Sequence, residues 1–296
     1  MALTFDDLPA NTMRGSGAYP EILTSLAEGL RRQGVEAMGF VNEGKLYDGD
    51  SLVAARVTLL ERWLAAGHDL GNHGYGHLDL HATPLVTYLR DIDRGGVVTD
   101  GLLAQRGRSL AYYRHPMLHT GRSLEVRDGV VAHLAARGIR VAPVTIDNQE
   151  WIFARAYERA RVCEDARGAE GVARSYLAYM DTITGYYEAQ SRAIVGRDIP
   201  HVLLLHANQL NADHLEALLD VYRRRGYRFI GLDEALADSA YAHADRYTGP
   251  AGITWLHRWA LTDGKRGAFF RGEPVVPPAV QGLFDDAAAR APCARP

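Results

Sequence analysis

The sequence predicts an α/β fold built on a mostly parallel sheet, either open or closed into a barrel. Three observations support this prediction. Short apolar runs alternate with longer amphipathic stretches, glycines follow several of the amphipathic stretches, and polar side chains stand where apolar runs end. The carboxyl ends of parallel strands meet at one edge of a sheet or barrel, so these polar side chains are expected to converge.

Individual elements follow from their periodicity. Strands are predicted where short runs are dominated by apolar residues, at residues 2–5, 35–41, 69–72, 110–114, 139–146, 201–205 and 227–231. Helices are predicted where apolar residues recur every three or four positions and glycine often ends the pattern, at residues 19–33, 51–66, 84–103, 123–137 and 212–225. The helix at 84–103 is expected to be interrupted at Gly95 and Gly96.

Two regions depart from this alternation. Residues 148–199 carry no strand pattern and are predicted to form two helices inserted after a strand. Residues 240–296 have little periodicity, and Trp255 and Trp259 are interpreted as anchors of a tail that packs on the domain. We therefore predict one domain over residues 1–239, which includes the insertion, and a tail over residues 240–296.

Composition limits the possible functions. The 296 residues are 47% hydrophobic and carry a net charge of -3, so neither a nucleic-acid nor an anionic membrane surface is indicated. No apolar run approaches the roughly 20 residues that a membrane-spanning helix needs. Cys163 and Cys293 are interpreted as two unrelated thiols, which leaves the compartment open. A strand directly after Met1 suggests a periplasmic or secreted protein whose leader has been removed, with a cytoplasmic location as the alternative.

The chemistry-bearing residues begin with Asp6 and Asp7, which follow the first strand. His73 and His77, about seventy residues later, have the i,i+4 spacing that places two imidazoles on one side of a helical turn. One carboxylate and two imidazoles can hold a divalent metal and leave positions open for water and substrate, which is typical of a catalytic site. The second aspartate is then available as a base.

These residues lie in the first two of five segments. The five segments resemble, in order, the motifs of the polysaccharide deacetylases of the NodB-homology type, carbohydrate esterase family 4. Residues 4–9 (Thr-Phe-Asp-Asp-Leu-Pro) are similar to Thr-Phe-Asp-Asp-Gly-Pro, and residues 71–77 contain the His-x-x-x-His pair. Residues 114–117 (Arg-His-Pro-Met), 147–151 (Asp-Asn-Gln-Glu-Trp) and 203–206 (Leu-Leu-Leu-His) correspond to the remaining three motifs. The resemblance spans residues 2 to 236 and implies a distorted (β/α)7 barrel.

The resemblance also implies roles for individual residues. Asp6 corresponds to the catalytic base, Arg114 to its partner, His206 to the general acid and Asp147 to the residue that tunes this histidine. Asp7, His73 and His77 correspond to the ligands of one divalent metal, with zinc as the first candidate and cobalt, manganese or nickel as alternatives. The substrate-binding residues are expected to be Pro116, Met117, Trp151 and Leu204, with the backbone N–H of Met117 as oxyanion donor.

Three departures from the family pattern bear on the substrate. Leu8 stands in place of a glycine and is expected to crowd the floor of the groove, Met117 replaces an aromatic residue, and Glu150 replaces a second aspartate. The expected substrate is an acylated saccharide, in particular an N-acetylated amino sugar, or a small acylated molecule. Hydrolysis of an acetyl ester or of a small non-sugar amide remains an alternative, as does a non-catalytic carbohydrate-binding role. The sequence does not indicate an oligomeric state.

Overall fold

The computed structural model describes residues 1–289 and Cys293, and its centre is a curled parallel sheet. Within the described residues the strands are β1 (Ala2–Leu8), β2 (Ala37–Val41), β3 (Tyr47–Asp48), β4 (Ser51–Leu52), β5 (Asp69–Asn72), β6 (Tyr112–Tyr113), β7 (Arg140–Val141) and β8 (Val202–His206). Six of them form the sheet in the order β7-β6-β5-β2-β1-β8, and every neighbouring pair is parallel. Strands β3 and β4 form a separate antiparallel hairpin.

Helices cover the outside of this sheet. They are α1 (Tyr19–Arg32), α2 (Ala54–Ala65), α3 (Leu85–Arg94), α4 (Val97–Ala104), α5 (Leu124–Ala135), α6 (Glu150–Val162), α7 (Ala166–Val195), α8 (Gln209–Arg224), α9 (Leu232–Leu236), α10 (Trp255–Thr262) and α11 (Pro278–Ala288). The predicted break in helix 84–103 is present, since Gly95 and Gly96 separate α3 from α4. The helices of residues 1–289 include none with the length and apolarity needed to cross a membrane.

One extended segment brings the two edges of the sheet together. Near its start, the N–H of Ala142 donates to the carbonyl of Tyr113 in β6 at 2.8 Å. A few residues later, the N–H of Ile146 donates to the carbonyl of Val202 in β8 at 3.0 Å, and the N–H of Leu204 donates back to Ile146 at 3.1 Å. Residues 140–146 therefore bridge β6 and β8, which explains why the predicted strand at 139–146 is longer than β7.

The predicted α/β class and barrel curvature are confirmed, but the sheet has six strands because residues 227–231 do not form a strand. Both sides of β1 are already paired with β2 and β8. The backbone of the segment 227–231 therefore bonds to Met1, ahead of the strand: the N–H of Ile230 donates to the Met1 carbonyl at 3.0 Å and the Met1 amino group donates to the Arg228 carbonyl at 2.7 Å.

The regions predicted as an insertion and a tail both pack on the barrel. Residues 148–199 contain the two helices α6 and α7. In the tail, Trp259 is buried, and the N–H of Trp255 donates to the carbonyl of Val144 at 2.7 Å, so both tryptophans act as anchors. The buried guanidinium of Arg258 pairs with Asp245 at 2.7 Å and stacks on the Trp255 ring. Helix α11 then packs along α6.

The interpretation of the cysteines as unrelated thiols is wrong, because Cys163 and Cys293 form a disulfide across 130 positions of sequence. Sequence separation hid this pairing. The tail returns along α6, and this path brings the two cysteine Cα atoms to within 5.4 Å of each other. A cross-link over such a distance in sequence stabilises the fold mainly by restricting the unfolded chain.

We predict that Cys163→Ser lowers the free energy of unfolding by about 2–4 kcal/mol, because the unfolded chain regains the conformational freedom that the cross-link removes. Denaturant titration of the oxidised wild type and the variant measures this difference, and wild type treated with a reductant serves as the matched control. Thiol titration of unreduced, denatured wild type should find no free thiol, whereas two titratable thiols would contradict the disulfide.

Candidate active site

The polar residues predicted to converge do so at the carboxyl ends of the strands. Asp6 lies near the end of β1 and is in register with His206, the last residue of β8. His73 directly follows β5, and Arg114 directly follows β6. The parallel topology thus brings residues from distant parts of the chain to one rim.

A bulge in β1 gives the two adjacent aspartates different surroundings. The β1–β2 register shifts between Phe5 and Leu8, and Asp7 has a positive φ of 70°. Such an irregularity changes the direction of neighbouring side chains. Asp6, only 3% exposed, faces the buried guanidinium of Arg114, with Nη1 3.2 Å from Oδ1. Asp7 instead faces the two histidines.

Three groups surround the Asp7 carboxylate. The Nε2 of His77 lies 3.7 Å from Oδ1, the ammonium of Lys45 lies 3.1 Å from the same oxygen, and the amide of Asn11 donates to Oδ2 at 2.8 Å. Burial acts to raise the pKa of Asp7, but the Lys45 ammonium and the nearby imidazoles hold this pKa well below its usual range. Asp7 is therefore an ionised carboxylate. Sequence analysis missed Lys45, whose position depends on the loop after β2.

His73 and His77 lie on a tightly bonded loop rather than on the helical turn predicted from their spacing. The N–H of Gly44 donates to the carbonyl of Tyr75 at 2.9 Å. From the other side, the Asp91 carboxylate accepts the N–H groups of Tyr75 and Gly76 at 3.0 and 2.8 Å. A positive φ of 52° at His77 turns its ring towards His73, and the two ring centroids are 5.0 Å apart.

The donor set of Asp7, His73 and His77 fits a divalent metal. Their ligand atoms all lie within 4.8 Å of one another. The Nδ1 of buried His73 is 2.8 Å from the carbonyl of Arg114, to which it donates, so that Nε2 keeps its lone pair for a metal. Burial lowers the pKa of His73 to about 4, which keeps the imidazole neutral near pH 7. Three ligands of this type leave open coordination positions, as catalytic sites require.

His206 has Glu150 as its partner, and the expected pairing with Asp147 is not observed. The ring Nδ1–H of His206 donates to Oε2 of Glu150 at 2.8 Å. Asn211 donates to the other Glu150 oxygen at 2.6 Å, and Asn208 also bonds it. Burial acts to lower the pKa of His206, but the Glu150 hydrogen bond and charge, with Asp7 and Asp6, raise it to about 9.

Asp147 lies at the same rim but points elsewhere. Within the described residues its carboxylate accepts a hydrogen bond only from the N–H of Asn148, at 2.8 Å. Removal from water raises the pKa of Asp147 to about 6. Glu150 reaches His206 because it begins α6 and has one more methylene group than an aspartate. The departure from the family pattern at position 150 was the signal for this partner, although sequence analysis assigned the role to Asp147.

The loop at Pro116 and Met117 has the backbone geometry of a strained turn. Met117 and Leu118 have φ values of 56° and 55°. Together with Asp7 and His77, they are four of the five non-glycine residues with positive φ within residues 1–289. Strain of this kind concentrates at functional sites. Pro116 is buried, whereas the Met117 side chain is 44% exposed.

Leu8 does not crowd the floor of the groove as expected. Its side chain is fully buried and packs against Gly39 in β2. A Cβ atom at position 39 would lie only 2.4 Å from Cδ2 of Leu8, so the space for this leucine depends on the glycine. The substitution at position 8 is therefore accommodated within the core of the barrel.

The remaining predicted substrate residues lie beside His206. Leu204 precedes it by two positions on β8, so both side chains are on the same side of the strand. Trp151, 44% exposed, borders a cavity that His206 also lines. The ring of Phe284 from α11 meets the Trp151 ring edge-on, with centroids 5.2 Å apart.

Asp79, His81 and His119 form a second group of possible metal ligands. The two imidazoles are stacked in nearly parallel planes, with centroids 3.9 Å apart and an interplanar angle of 8°. Their in-plane lone pairs therefore run side by side and do not converge. The Asp79 carboxylate accepts a hydrogen bond from Nδ1 of His119 at 2.7 Å, and this pairing accounts for the group.

A sequence profile described as polysaccharide deacetylase matches residues 1–141. The resemblance to the polysaccharide deacetylase family is confirmed over this range. The match contains Asp6, Asp7, His73, His77 and Arg114, whereas Glu150 and His206 lie beyond it. No curated protein matches the chain significantly in sequence.

Solved structures of carbohydrate esterase family 4 share the fold. A chitin deacetylase from Colletotrichum lindemuthianum is 20% identical with a TM-score of 0.53, over 80% of this chain and 87% of that one. An acetyl xylan esterase from Clostridium thermocellum, in complex with a cobalt ion, is 18% identical with a TM-score of 0.50, over 80% and 89%. At these identities the likeness establishes the (β/α) barrel alone.

A family 4 pseudoenzyme from Bacillus anthracis is also similar, at 15% identity and a TM-score of 0.51 over 79% of this chain. The chain spans 64% of that protein, and 66% of a variant described as having restored enzymatic activity. The fold therefore occurs both with and without activity, and only the site residues can support a function.

We predict that His77→Ala abolishes stoichiometric metal retention, because two of three ligands cannot replace the complete donor set. Elemental analysis after incubation with zinc and gel filtration measures the bound metal. His133→Ala, which changes a helical histidine paired with Asp93 outside the cluster, is the control and should retain metal. A His77→Ala protein that still holds one equivalent of metal would contradict this ligand set.

Proposed function

We propose that the protein is a metal-dependent hydrolase that removes an acyl group, in particular N-acetyl, from an amino sugar or short saccharide. The observation that carries this proposal is the position of Asp6 between three other groups. It lies in register with His206, 3.2 Å from the Arg114 guanidinium, and next in sequence to Asp7 of the donor set. The side chains that we propose as base, acid and metal ligands thus lie at one rim, and this arrangement supports acyl hydrolysis.

Asp7, His73 and His77 would hold the metal, with zinc as the first candidate. Bound there, a divalent metal supplies Lewis acidity that makes a water molecule more acidic and polarises an acyl oxygen. Asp6 accepts the proton that the attacking water loses as its oxygen forms a bond to the acyl carbon. Arg114 holds the Asp6 carboxylate in place, with its Nη1 3.2 Å from Oδ1.

His206 completes the reaction on the leaving-group side. Its raised pKa keeps the imidazole protonated near pH 7, so it can deliver a proton to the nitrogen as the carbon–nitrogen bond breaks. The backbone N–H of Met117 is our candidate donor to the developing oxyanion. It lies in the strained turn that follows Arg114, whose carbonyl contacts His73. Glu150 orients His206 by accepting its Nδ1–H.

The contacts of the tail with the rim favour a short substrate rather than the middle of a long polymer. Gly252 packs so closely on the Met117 carbonyl that a Cβ atom there would lie 1.8 Å from the oxygen. The Phe284 ring contacts the Trp151 ring, and the carbonyl of Pro250 lies 3.3 Å from Nδ1 of His81. Tail residues thus border the rim at several places. The disulfide favours an oxidising compartment, consistent with a periplasmic or secreted protein.

An acetate-release screen of metal-reconstituted protein tests this function. N-acetylglucosamine oligomers of one to six units, peptidoglycan fragments, acetyl-xylan and small aryl acetates or amides are compared by kcat/KM. We expect activity on N-acetylated saccharides that reaches a plateau within one or two units. Preference for acetyl-xylan or aryl acetates would assign the ester or small-amide alternative, and a steep rise to six units would contradict the short-substrate proposal. Saccharide binding without acetate release would assign a non-catalytic role.

We predict that Glu150→Gln moves the alkaline limb of the pH profile of kcat/KM to lower pH. The acid must be protonated, so the wild type should lose activity as pH rises through about 9. Removing the carboxylate removes the largest influence that raises the pKa of His206, so its proton is lost at lower pH. Glu170→Gln, a change on the exposed face of α7, should leave the limb in place. An unmoved limb in Glu150→Gln would remove Glu150 from this role.

A further inference from the structure

A basic cavity of about 820 Å³ lies beside the candidate active site, between α6 and α11. Among the described residues, three arginines line it, Arg14, Arg155 and Arg159, and none of the lining residues is acidic. Its apolar lining includes the rings of Trp151 and Phe284. The cavity adjoins the smaller one at His206, because Trp151 and Arg155 line both.

Arg155 differs from the other two arginines in its surroundings. Arg14 pairs with Glu21 at 3.1 Å and with Glu158 at 3.5 Å, so its charge is offset. Arg159 donates towards the sulfur of Cys293 at 3.7 Å. Within residues 1–289 and Cys293, Arg155 makes no hydrogen bond or ion pair, although it is half-buried between the two cavities.

Glu158, which lines the smaller cavity, does not compensate the charge of Arg155. Glu158 is buried, and its oxygens accept hydrogen bonds from the Thr12 hydroxyl and from the N–H of Met13, the latter at 2.8 Å. Arg14 supplies its counter-charge. A half-buried guanidinium beside a site without its own carboxylate is suited to an anionic group on a ligand, because its planar donors match carboxylate and phosphate oxygens.

The position of this cavity defines which part of a substrate reaches it. In the proposed function, on which this inference rests, His206 protonates the leaving nitrogen, so the sugar that carries this nitrogen lies on the His206 side. The cavity continues from His206 past Trp151 to Arg155. A sugar ring can pack on the Trp151 face while a substituent or a neighbouring residue extends to the arginines.

We propose that Arg155 is the centre of an anion-binding subsite, and that the natural substrate is an acidic acylated saccharide with a carboxylate or phosphate on the leaving-group side. Trp151, which lines both cavities together with Arg155, provides the ring surface for the adjacent sugar. The subsite selects among N-acetylated saccharides and does not take part in bond breaking.

Two disaccharides of equal length test the subsite, N-acetylglucosamine linked to glucuronic acid and the neutral N-acetylglucosamine dimer. We expect the wild type to favour the acidic disaccharide by about tenfold or more in kcat/KM at low ionic strength, and this ratio should fall as salt is added. A parallel comparison of N-acetylglucosamine 6-phosphate with N-acetylglucosamine distinguishes phosphate from carboxylate recognition.

The variant Arg155→Gln should reduce the acidic-to-neutral ratio to near one, whereas Arg155→Lys should keep part of it. Arg167→Gln, which changes an exposed arginine of α7 outside both cavities, is the matched control and should keep the wild-type ratio. Equal kcat/KM for the acidic and neutral partners in both wild-type comparisons at low salt would overturn the proposal, as would an unchanged ratio in Arg155→Gln.

Calorimetric binding to Asp6→Asn protein separates this proposal from the proposed function. If neither disaccharide is hydrolysed by the wild type but the acidic one binds more tightly, and Arg155→Gln in that background removes the difference, the subsite stands and the hydrolase proposal fails. If both disaccharides are hydrolysed equally and bind equally, the hydrolase proposal stands and the subsite fails.

Discussion

The buried ion pair between Arg114 and Asp6 is the constraint on which the rest of the site depends. The guanidinium donates to Asp6, to the carbonyl of Ala142 at 3.0 Å and to the Thr4 hydroxyl at 3.2 Å, and it stacks on the ring of Phe40. The backbone carbonyl of Arg114 also accepts the His73 ring N–H. Arg114 therefore joins strands β1 and β2, the bridging segment 140–146 and the loop that carries His73 and His77. Removal of the whole Asp6 side chain would leave the Arg114 guanidinium buried and unpaired, which is strongly destabilising, whereas an asparagine at this position keeps an oxygen that can accept from the guanidinium.

Next to this pair, the adjacent residues Asp6 and Asp7 face different partners. The bulge in β1 turns Asp6 to Arg114 and Asp7 to the histidines. A positively charged group lies beside each of two carboxylates. The Lys45 ammonium pairs with Asp7, and the His206 ring donates a hydrogen bond to Glu150. Removal from water strengthens these interactions. The pKa of Asp7 is thereby held below its usual range and that of His206 is raised to about 9, so near pH 7 Asp7 is ionised and His206 is protonated.

The convergence of Asp6, His73, Arg114 and His206 could be predicted from sequence, because each follows a short apolar run and parallel strands end at one rim. The contacts of individual side chains could not. Glu150 rather than Asp147 reaches His206 because the start of α6 sets its distance, and Lys45 reaches Asp7 through a loop without a periodic pattern. The disulfide depends on how the tail packs against α6, and the absence of a strand at 227–231 depends on how the other strands pair. Neither tertiary contact can be predicted from the local sequence pattern.

The most direct test of the account is the turnover of Asp6→Asn measured together with its metal content. The substitution removes the proton acceptor but leaves Asp7, His73 and His77 in place. We predict a variant that retains one equivalent of zinc and loses about 10²–10⁴-fold in kcat for acetate release, the range that a positioned general base contributes. Circular dichroism establishes that the variant is folded. A folded, metal-loaded Asp6→Asn protein with near-normal kcat would contradict the assignment of Asp6 as the base.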